Sequence, residues 1–121
     1  MRVTRRRGIR SREAAVVRTT LERASTLDKC RGLIAQVEAL RVVGGCECGC
    51  DSVDFEPNGQ APPAQIIADA IGTTPVGGQV GVLIWGSEER IGSLEIYDLG
   101  AGDEDLRLPS IESIEPWGSK S

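Results

Sequence analysis

The stretch that decides the fold is VGVLIWGSEERIGSLEIYDL, residues 80–99. Apolar residues alternate with other residues on both sides of the polar segment 86–90, a pattern typical of two strands joined by a short hairpin. The same alternation is present at 66–71, where a helix is the alternative, and PVGG at 75–78 predicts a turn before the strand at Val80. These residues predict three consecutive antiparallel strands.

A fourth strand is predicted from residue 42 onward, where the hydrophobic period changes from helical to alternating. It begins at Val42, passes through the glycine pair 44–45 and three closely spaced cysteines, and continues to Glu56. The cysteines and the later apolar residues have opposite parity along this strand. We therefore expect a bulge or bend near 49–51.

The residues before this strand have helical periodicity. Apolar residues recur at positions 14, 17, 21 and 24, and again at 27, 30, 33, 34, 37 and 40. This spacing predicts two amphipathic helices, over roughly 11–24 and 27–39. The sequence therefore predicts an α+β fold in which two N-terminal helices pack on a four-stranded antiparallel meander sheet. We expect residues 11–121 to form a single α+β domain.

The N-terminal residues 1–10 are predicted to form a disordered basic arm. They contain five arginines, no acidic residue and little apolar periodicity. Such an arm is suited to non-specific contact with nucleic acid through counterion release. No other contact with nucleic acid is expected, because four aromatic residues in the whole chain are few for a base-stacking surface.

The composition favours a non-catalytic protein. The chain contains no histidine, which removes the usual general base near neutral pH and every nucleophile that depends on a histidine. No catalytic residue is predicted. There is no apolar run of 18 or more residues, and no apolar segment follows the basic N-terminus as in a secretory signal. We therefore expect a soluble cytoplasmic protein with no membrane contact.

The charge of the chain is divided between its two parts. Residues 1–45 hold eleven Arg and Lys against four acidic residues, whereas residues 46–121 hold three against fourteen. This asymmetry indicates either an interaction surface or basic helices that lie on an acidic sheet. The sequence favours a protein-interaction module that binds another protein, and it leaves the oligomeric state open.

The cysteines Cys46, Cys48 and Cys50, which we call the cysteine segment, are the candidate metal ligands. A zinc site would need a fourth ligand, for which Cys30 and Asp51 are the candidates. Structural zinc sites prefer two cysteines separated by two to four residues, because that spacing lets both sulfurs reach one ion. The single-residue spacing here is a poorer fit, and zinc is the alternative cofactor rather than the expected one.

The cysteine segment has two further interpretations. A redox thiol requires a lowered pKa, and the neighbouring acidic residues Glu47 and Asp51 would act in the opposite direction. Buried cysteines also serve as small hydrophobic side chains. We expect the last of these, and we keep a zinc-binding or thiol-redox protein as the alternative function.

A possible groove is predicted on the strand at 91–99. Glu95 and Tyr97 are two residues apart, so both side chains point to the same face of the sheet. Together they are suited to lining a groove. The outward polar positions of any half-exposed strand give the same pattern.

Two sequence segments also carry a family resemblance. They are CECGCDSV at 46–53 and LEIY at 94–97. Their pattern, C-x-C-G-C-x-S-[VI] followed by L-E-[VI]-Y, resembles that of a group of small actinobacterial proteins of unknown function, over roughly residues 11–110. The resemblance implies a shared fold and implies no activity.

Overall fold

The computed structural model of the protein describes residues 2–26, 30–45, 51–56, 65–99 and 107–117. Within these residues the chain forms two α-helices and one seven-stranded sheet, in which every strand pairing is antiparallel. The predicted α+β class is therefore confirmed. The predicted number of four strands is wrong.

The elements are β1 (Arg2–Gly8), α1 (Ser11–Ala24), α2 (Arg31–Gln36), β2 (Arg41–Gly45), β3 (Val53–Phe55), β4 (Gln65–Thr73), β5 (Gln79–Gly86), β6 (Ile91–Asp98) and β7 (Glu115–Pro116). Their order across the sheet is β1-β2-β3-β6-β5-β4-β7. The strands β4, β5 and β6 form the meander that the alternation predicts. This meander lies between β3 on one side and the short strand β7 on the other.

The strand predicted from residue 42 to residue 56 is two strands. β2 and β3 pair antiparallel, with Gly45 opposite Val53, so the chain reverses direction between them rather than bending once. The glycine pair 44–45 has no side chains whose alternation would have marked the end of β2. The cysteine segment falls in this connection, at 46–50, outside the described residues.

The strand β1 replaces the disordered arm predicted for residues 1–10. It pairs with β2 at one edge of the sheet, and its register shifts between Val3 and Arg7. A strand pair at a sheet edge is held by backbone hydrogen bonds and needs no apolar stripe. An arginine-rich, irregular strand also suits an edge, because charge and bulges discourage pairing with other chains.

The side chain of Arg7 fixes the end of β1 to the start of α1. Its two terminal nitrogens donate to the two carboxylate oxygens of Glu13 at 3.0 and 2.9 Å. Glu13 also accepts the backbone N–H of Arg10 at 2.9 Å, which caps the helix. Burial by itself would raise the pKa of Glu13, but the hydrogen bonds from Arg7 and Arg10 outweigh it and lower that pKa.

Replacement of Arg7 by alanine should therefore lower the free energy of unfolding by about 2 kcal/mol at neutral pH, because it leaves a buried carboxylate without its partner. Since the pKa of Glu13 is lowered in the folded state, its contribution is present above the unfolded-state pKa and is lost as the pH falls through the folded-state value. The cost of Arg7→Ala should accordingly shrink in acid. Urea denaturation at several pH values measures it.

The matched control is Arg18→Ala. Arg18 pairs with Glu38, whose side chain is 70% exposed to solvent, so its loss should cost less than about 0.5 kcal/mol. Equal costs for Arg7→Ala and Arg18→Ala would show that β1 is not anchored through Glu13.

The helix α1 has the predicted bounds and the predicted buried stripe. Ala14, Val17, Leu21 and Ala24 are all buried, and the helix contacts β4, β5 and β7. In the described part of the chain, no helix is long and apolar enough to cross a membrane.

The helix α2 is shorter than predicted. It ends at Gln36, and a 3₁₀ turn, Val37–Ala39, completes the segment. Leu33 and Val37 are buried as the helical stripe requires. Residues 27–29, where the second helix was predicted to begin, lie outside the described residues.

The two faces of the sheet have different surroundings. On one face Ala70, Val82 and Ile96 lie side by side on β4, β5 and β6, and they belong to the same buried cluster as the apolar stripe of α1. The intervening residues of these strands point to the opposite face and are mostly half-buried. That second face holds the candidate functional site.

Candidate functional site

Cross-strand pairing determines which side chains meet on the second face of the sheet. Asp69 on β4 pairs with Leu83 on β5, and Leu83 pairs with Glu95 on β6. Directly opposite residues in antiparallel strands share a face. The two carboxylates therefore lie on the same face with an apolar side chain between them.

The ring of Tyr97 lies across β5. Tyr97 pairs with Gly81, and a Cβ atom built on that glycine would lie only 2.0 Å from Cζ of the tyrosine ring. Glycine thus leaves the space that the hydroxyl end of the ring occupies. Burial raises the pKa of Tyr97, and the charges of Asp69 and Glu95 raise it further, so both carboxylates act on this hydroxyl.

The indole of Trp85 is fixed by Glu95. Its Nε1–H donates to Oε1 of Glu95 at 2.9 Å, from β5 to β6. This bond orients the indole and the carboxylate together. Next to Trp85 along the same face lie Ser93 and then Asp54 of β3, and burial raises the pKa of Asp54.

One oxygen of the Asp69 carboxylate is, among the described residues, a hydrogen-bond acceptor without a donor, which we call the unmet acceptor of Asp69. Its Oδ1 is sealed from solvent and has no hydrogen-bond partner within the described part of the chain. Burial raises the pKa of Asp69, since the charged form loses hydration without gaining a donor.

The exposed Trp117 extends this face beyond β4. The pairs Ala70–Pro116 and Ile71–Glu115 define the register of β7, and the N–H of Trp117 donates to the carbonyl of Asp69 at 3.0 Å. This bond continues the register by one residue, so Trp117 lies opposite Asp69. Its side chain is 52% exposed.

We refer to Asp69, Trp85, Glu95, Tyr97 and Trp117 as the acidic aromatic face. It contains three of the four aromatic residues of the chain. The fourth is Phe55, which is fully buried in the core. The three aromatic side chains of this face are therefore not needed to fill the core.

Replacement of Asp69 by asparagine should stabilise the protein at neutral pH by roughly 0.5 kcal/mol, because it removes a charge that burial penalises. Since the pKa of Asp69 is raised in the folded state, the penalty is absent below the unfolded-state pKa and appears as the pH rises through the folded-state value. The gain should therefore vanish in acid. Thermal melting of both proteins across pH measures it, and a loss of stability at neutral pH would contradict the account of Asp69.

The structure places the predicted pair Glu95 and Tyr97 on one face and brings Asp69, Trp85 and Trp117 to them. The sequence analysis connected neither Trp85 nor Asp69 with Glu95, because these residues belong to different strands. Trp117 could not be found, since its place depends on β7 pairing with a strand more than forty residues earlier.

The remaining candidate ligands are dispersed in the described structure. The thiol of Cys30 donates to the carbonyl of Leu21 at 3.5 Å. Asp51 accepts the N–H of Leu108 at 2.8 Å and lies 3.7 Å from Arg107, so its carboxylate ties this late segment to the residues before β3. Among the described residues no three Cys, Asp or Glu side chains cluster as metal ligands.

Comparison of the chain with protein-family models, with curated proteins and with solved structures finds no match. Function must therefore be inferred from the side chains themselves.

Proposed function

We propose that the protein is a non-catalytic cytoplasmic interaction module that binds another protein through the acidic aromatic face. The observation that carries this proposal is the position of Trp85, Tyr97 and Trp117 on the sheet face opposite α1, beside two carboxylates. Tryptophan and tyrosine are enriched at protein interfaces and dominate their binding energy, because they bury a large area with few rotatable bonds.

The arrangement of the carboxylates favours binding over catalysis. Asp69 and Glu95 lie two strands apart with Leu83 between them, a backbone separation of about 10 Å. Glu95 is already bonded to the indole of Trp85. The chain contains no histidine that could exchange protons with either of them.

Site-specific photo-crosslinking in cells that make the protein tests the proposal. A photoreactive residue at Leu83, at the centre of the acidic aromatic face, should give a discrete adduct with one protein. The same residue at Glu22, which is exposed on α1, is the matched control and should not give that adduct. Replacement of Asp69 and Glu95 by lysine should abolish it. Identical adducts from positions 83 and 22, or none from position 83, would reject the proposal.

A zinc-binding or thiol-redox function is the second candidate. The observation that favours it is the pairing of Gly45 with Val53, since the short stretch of sequence between these two residues includes Cys46, Cys48 and Cys50. Both candidate fourth ligands have partners in the described structure, since Asp51 is engaged by Leu108 and Arg107 and the thiol of Cys30 donates to the carbonyl of Leu21.

The two candidates predict different metal contents. For the interaction module we expect no stoichiometric zinc in the purified, tag-free protein, and no change in its melting temperature on addition of a chelator. A structural zinc would contribute its binding energy to folding, so chelation would unfold the protein. One zinc per chain, retained through dialysis and lost in Cys46→Ala and Cys50→Ala, would favour the second candidate. Elemental analysis with thermal melting decides this.

A further inference from the structure

We infer that the segment of the partner protein bound by the acidic aromatic face carries arginine, whose guanidinium lies between the carboxylates Asp69 and Glu95 and stacks on the aromatic rings beside them. This inference rests on the proposed function. The inference specifies which side chain of the partner is recognised. Three features of the acidic aromatic face support it.

The first feature is charge. The four strands that form this part of the sheet, β4 to β7, contain four acidic residues and no lysine or arginine. Two of the acidic residues, Asp69 and Glu95, belong to the acidic aromatic face, and Glu115 lies opposite Ile71 at its edge. A surface of one sign favours a partner of the opposite sign, both in encounter rate and in specificity.

The second feature is the unmet acceptor of Asp69. Its Oδ1 is buried and lacks a hydrogen-bond donor among the residues described. A buried acceptor is normally satisfied, and each exception calls for an explanation. A guanidinium presents five N–H donors in a rigid fork that matches a carboxylate. Because Oδ1 is sealed from solvent in the free chain, the side chain of Asp69 would have to rotate outward on binding, and a partner arginine would then supply the donor that the chain itself does not.

The third feature is the planar surface beside the carboxylates. The ring of Tyr97 lies across Gly81, and the indole of Trp85 is held by its bond to Glu95. Both rings are fixed before any ligand arrives. Arginine stacks on such rings more often than lysine does, since its guanidinium is planar and more weakly hydrated. The face should therefore distinguish arginine from lysine.

The edge strand β1 offers another source of arginine, because residues 2–8 of a second copy are arginine-rich. In the described structure, however, this strand is already paired with β2. Arg7 is also held by Glu13. A separate partner protein is thus favoured over self-association.

A fluorescence titration of the full chain at low salt tests the inference, with a short glycine-rich peptide that contains two arginines as the probe. Matched peptides carry lysine or the neutral isostere citrulline at the same positions. We expect saturable quenching of tryptophan fluorescence by the arginine peptide, at least about threefold weaker binding of the lysine peptide, and no binding of the citrulline peptide. Equal affinity for the arginine and lysine peptides would overturn the inference.

Variants of the face make the test specific. Asp69→Asn combined with Glu95→Gln, and separately Tyr97→Ala, should each weaken binding about tenfold or more while circular dichroism shows an unchanged fold. Glu22→Gln removes an exposed acidic residue of α1 and should leave the affinity within about twofold. If Glu22→Gln and the face variants lost the same affinity for the arginine peptide, the binding would be non-specific charge attraction, and the inference would be overturned.

Two outcomes separate this inference from the proposed function. A specific adduct at Leu83 without arginine-peptide binding would leave the interaction module standing and overturn the arginine partner. Peptide binding without any adduct would support the chemistry of the face and count against the proposed function. Sedimentation of the free protein as a dimer, abolished by Asp69→Asn with Glu95→Gln, would identify a second copy as the occupant and overturn the separate partner.

Discussion

Replacement of Phe55 by alanine should lower the free energy of unfolding by about 3–5 kcal/mol, through lost burial and the cavity left behind. Phe55 is fully buried and belongs to β3, a strand of three residues that joins β2 to β6. It pairs with Val42 on the β2 side. Because β3 has only three residues, the cavity should weaken its pairing with both β2 and β6.

Urea denaturation of Phe55→Ala measures this loss. The control is Val76→Ala, which truncates an apolar side chain that is 74% exposed and should change stability by less than about 0.5 kcal/mol. A cost below about 1 kcal/mol for Phe55→Ala would mean that β3 does not hold the sheet together.

Replacement of Gly86 by alanine should cost about 3 kcal/mol. A Cβ atom at this position would lie 2.2 Å from the carbonyl oxygen of Arg90 and 3.1 Å from the nitrogen of Gly92. Both are backbone atoms of the β5–β6 hairpin, and the Arg90 carbonyl also accepts the N–H of Ser87 at 2.8 Å. The backbone of the hairpin must move to admit a methyl group, and such overpacking is destabilising.

Gly32→Ala is the control for Gly86→Ala. A Cβ atom at residue 32 would meet nothing within 4 Å, and the position lies within α2. Alanine there should stabilise the protein by about 0.5–1 kcal/mol, because it limits the unfolded chain and favours the helix. If Gly86→Ala left the stability unchanged, the backbone of the β5–β6 hairpin could not lie as close to residue 86 as described. Thermal melting of the two variants measures both the expected loss of stability in Gly86→Ala and the expected gain in Gly32→Ala.

The elements that sequence reasoning placed well are those with strong local periodicity. The stripe Ala14, Val17, Leu21 and Ala24 defines α1, and the alternation from residue 66 to residue 98 defines β4 to β6. In these segments the apolar residues at alternate positions face the core, as Ala70, Val82 and Ile96 do, so the period of the sequence predicts the element.

The elements that were missed depend on pairing between distant residues. β1 is an arginine-rich edge strand held by backbone bonds to β2, and β7 has only two residues, with Pro116 opposite Ala70. Neither strand shows a hydrophobic periodicity in its own sequence. The separation of β2 from β3 was missed because the glycine pair 44–45 shows no alternation.

The candidate site was predictable only along single strands. The spacing of Glu95 and Tyr97 places them on one face of β6. Their relation to Asp69 depends on the register of three strands, and the position of the Tyr97 ring depends on the absence of a side chain at Gly81. The unmet acceptor of Asp69 is a departure from good packing of the kind expected at functional positions.

Binding at the acidic aromatic face is tested most directly by amide proton–nitrogen correlation NMR of the full chain, recorded while the arginine peptide is added. We predict shifts concentrated at the amides of Asp69, Leu83 and Glu95 and at the indole N–H of Trp85, with the amides of α1 unchanged. Shifts confined to α1 and α2, or a spectrum that does not change at saturating peptide, would contradict the account.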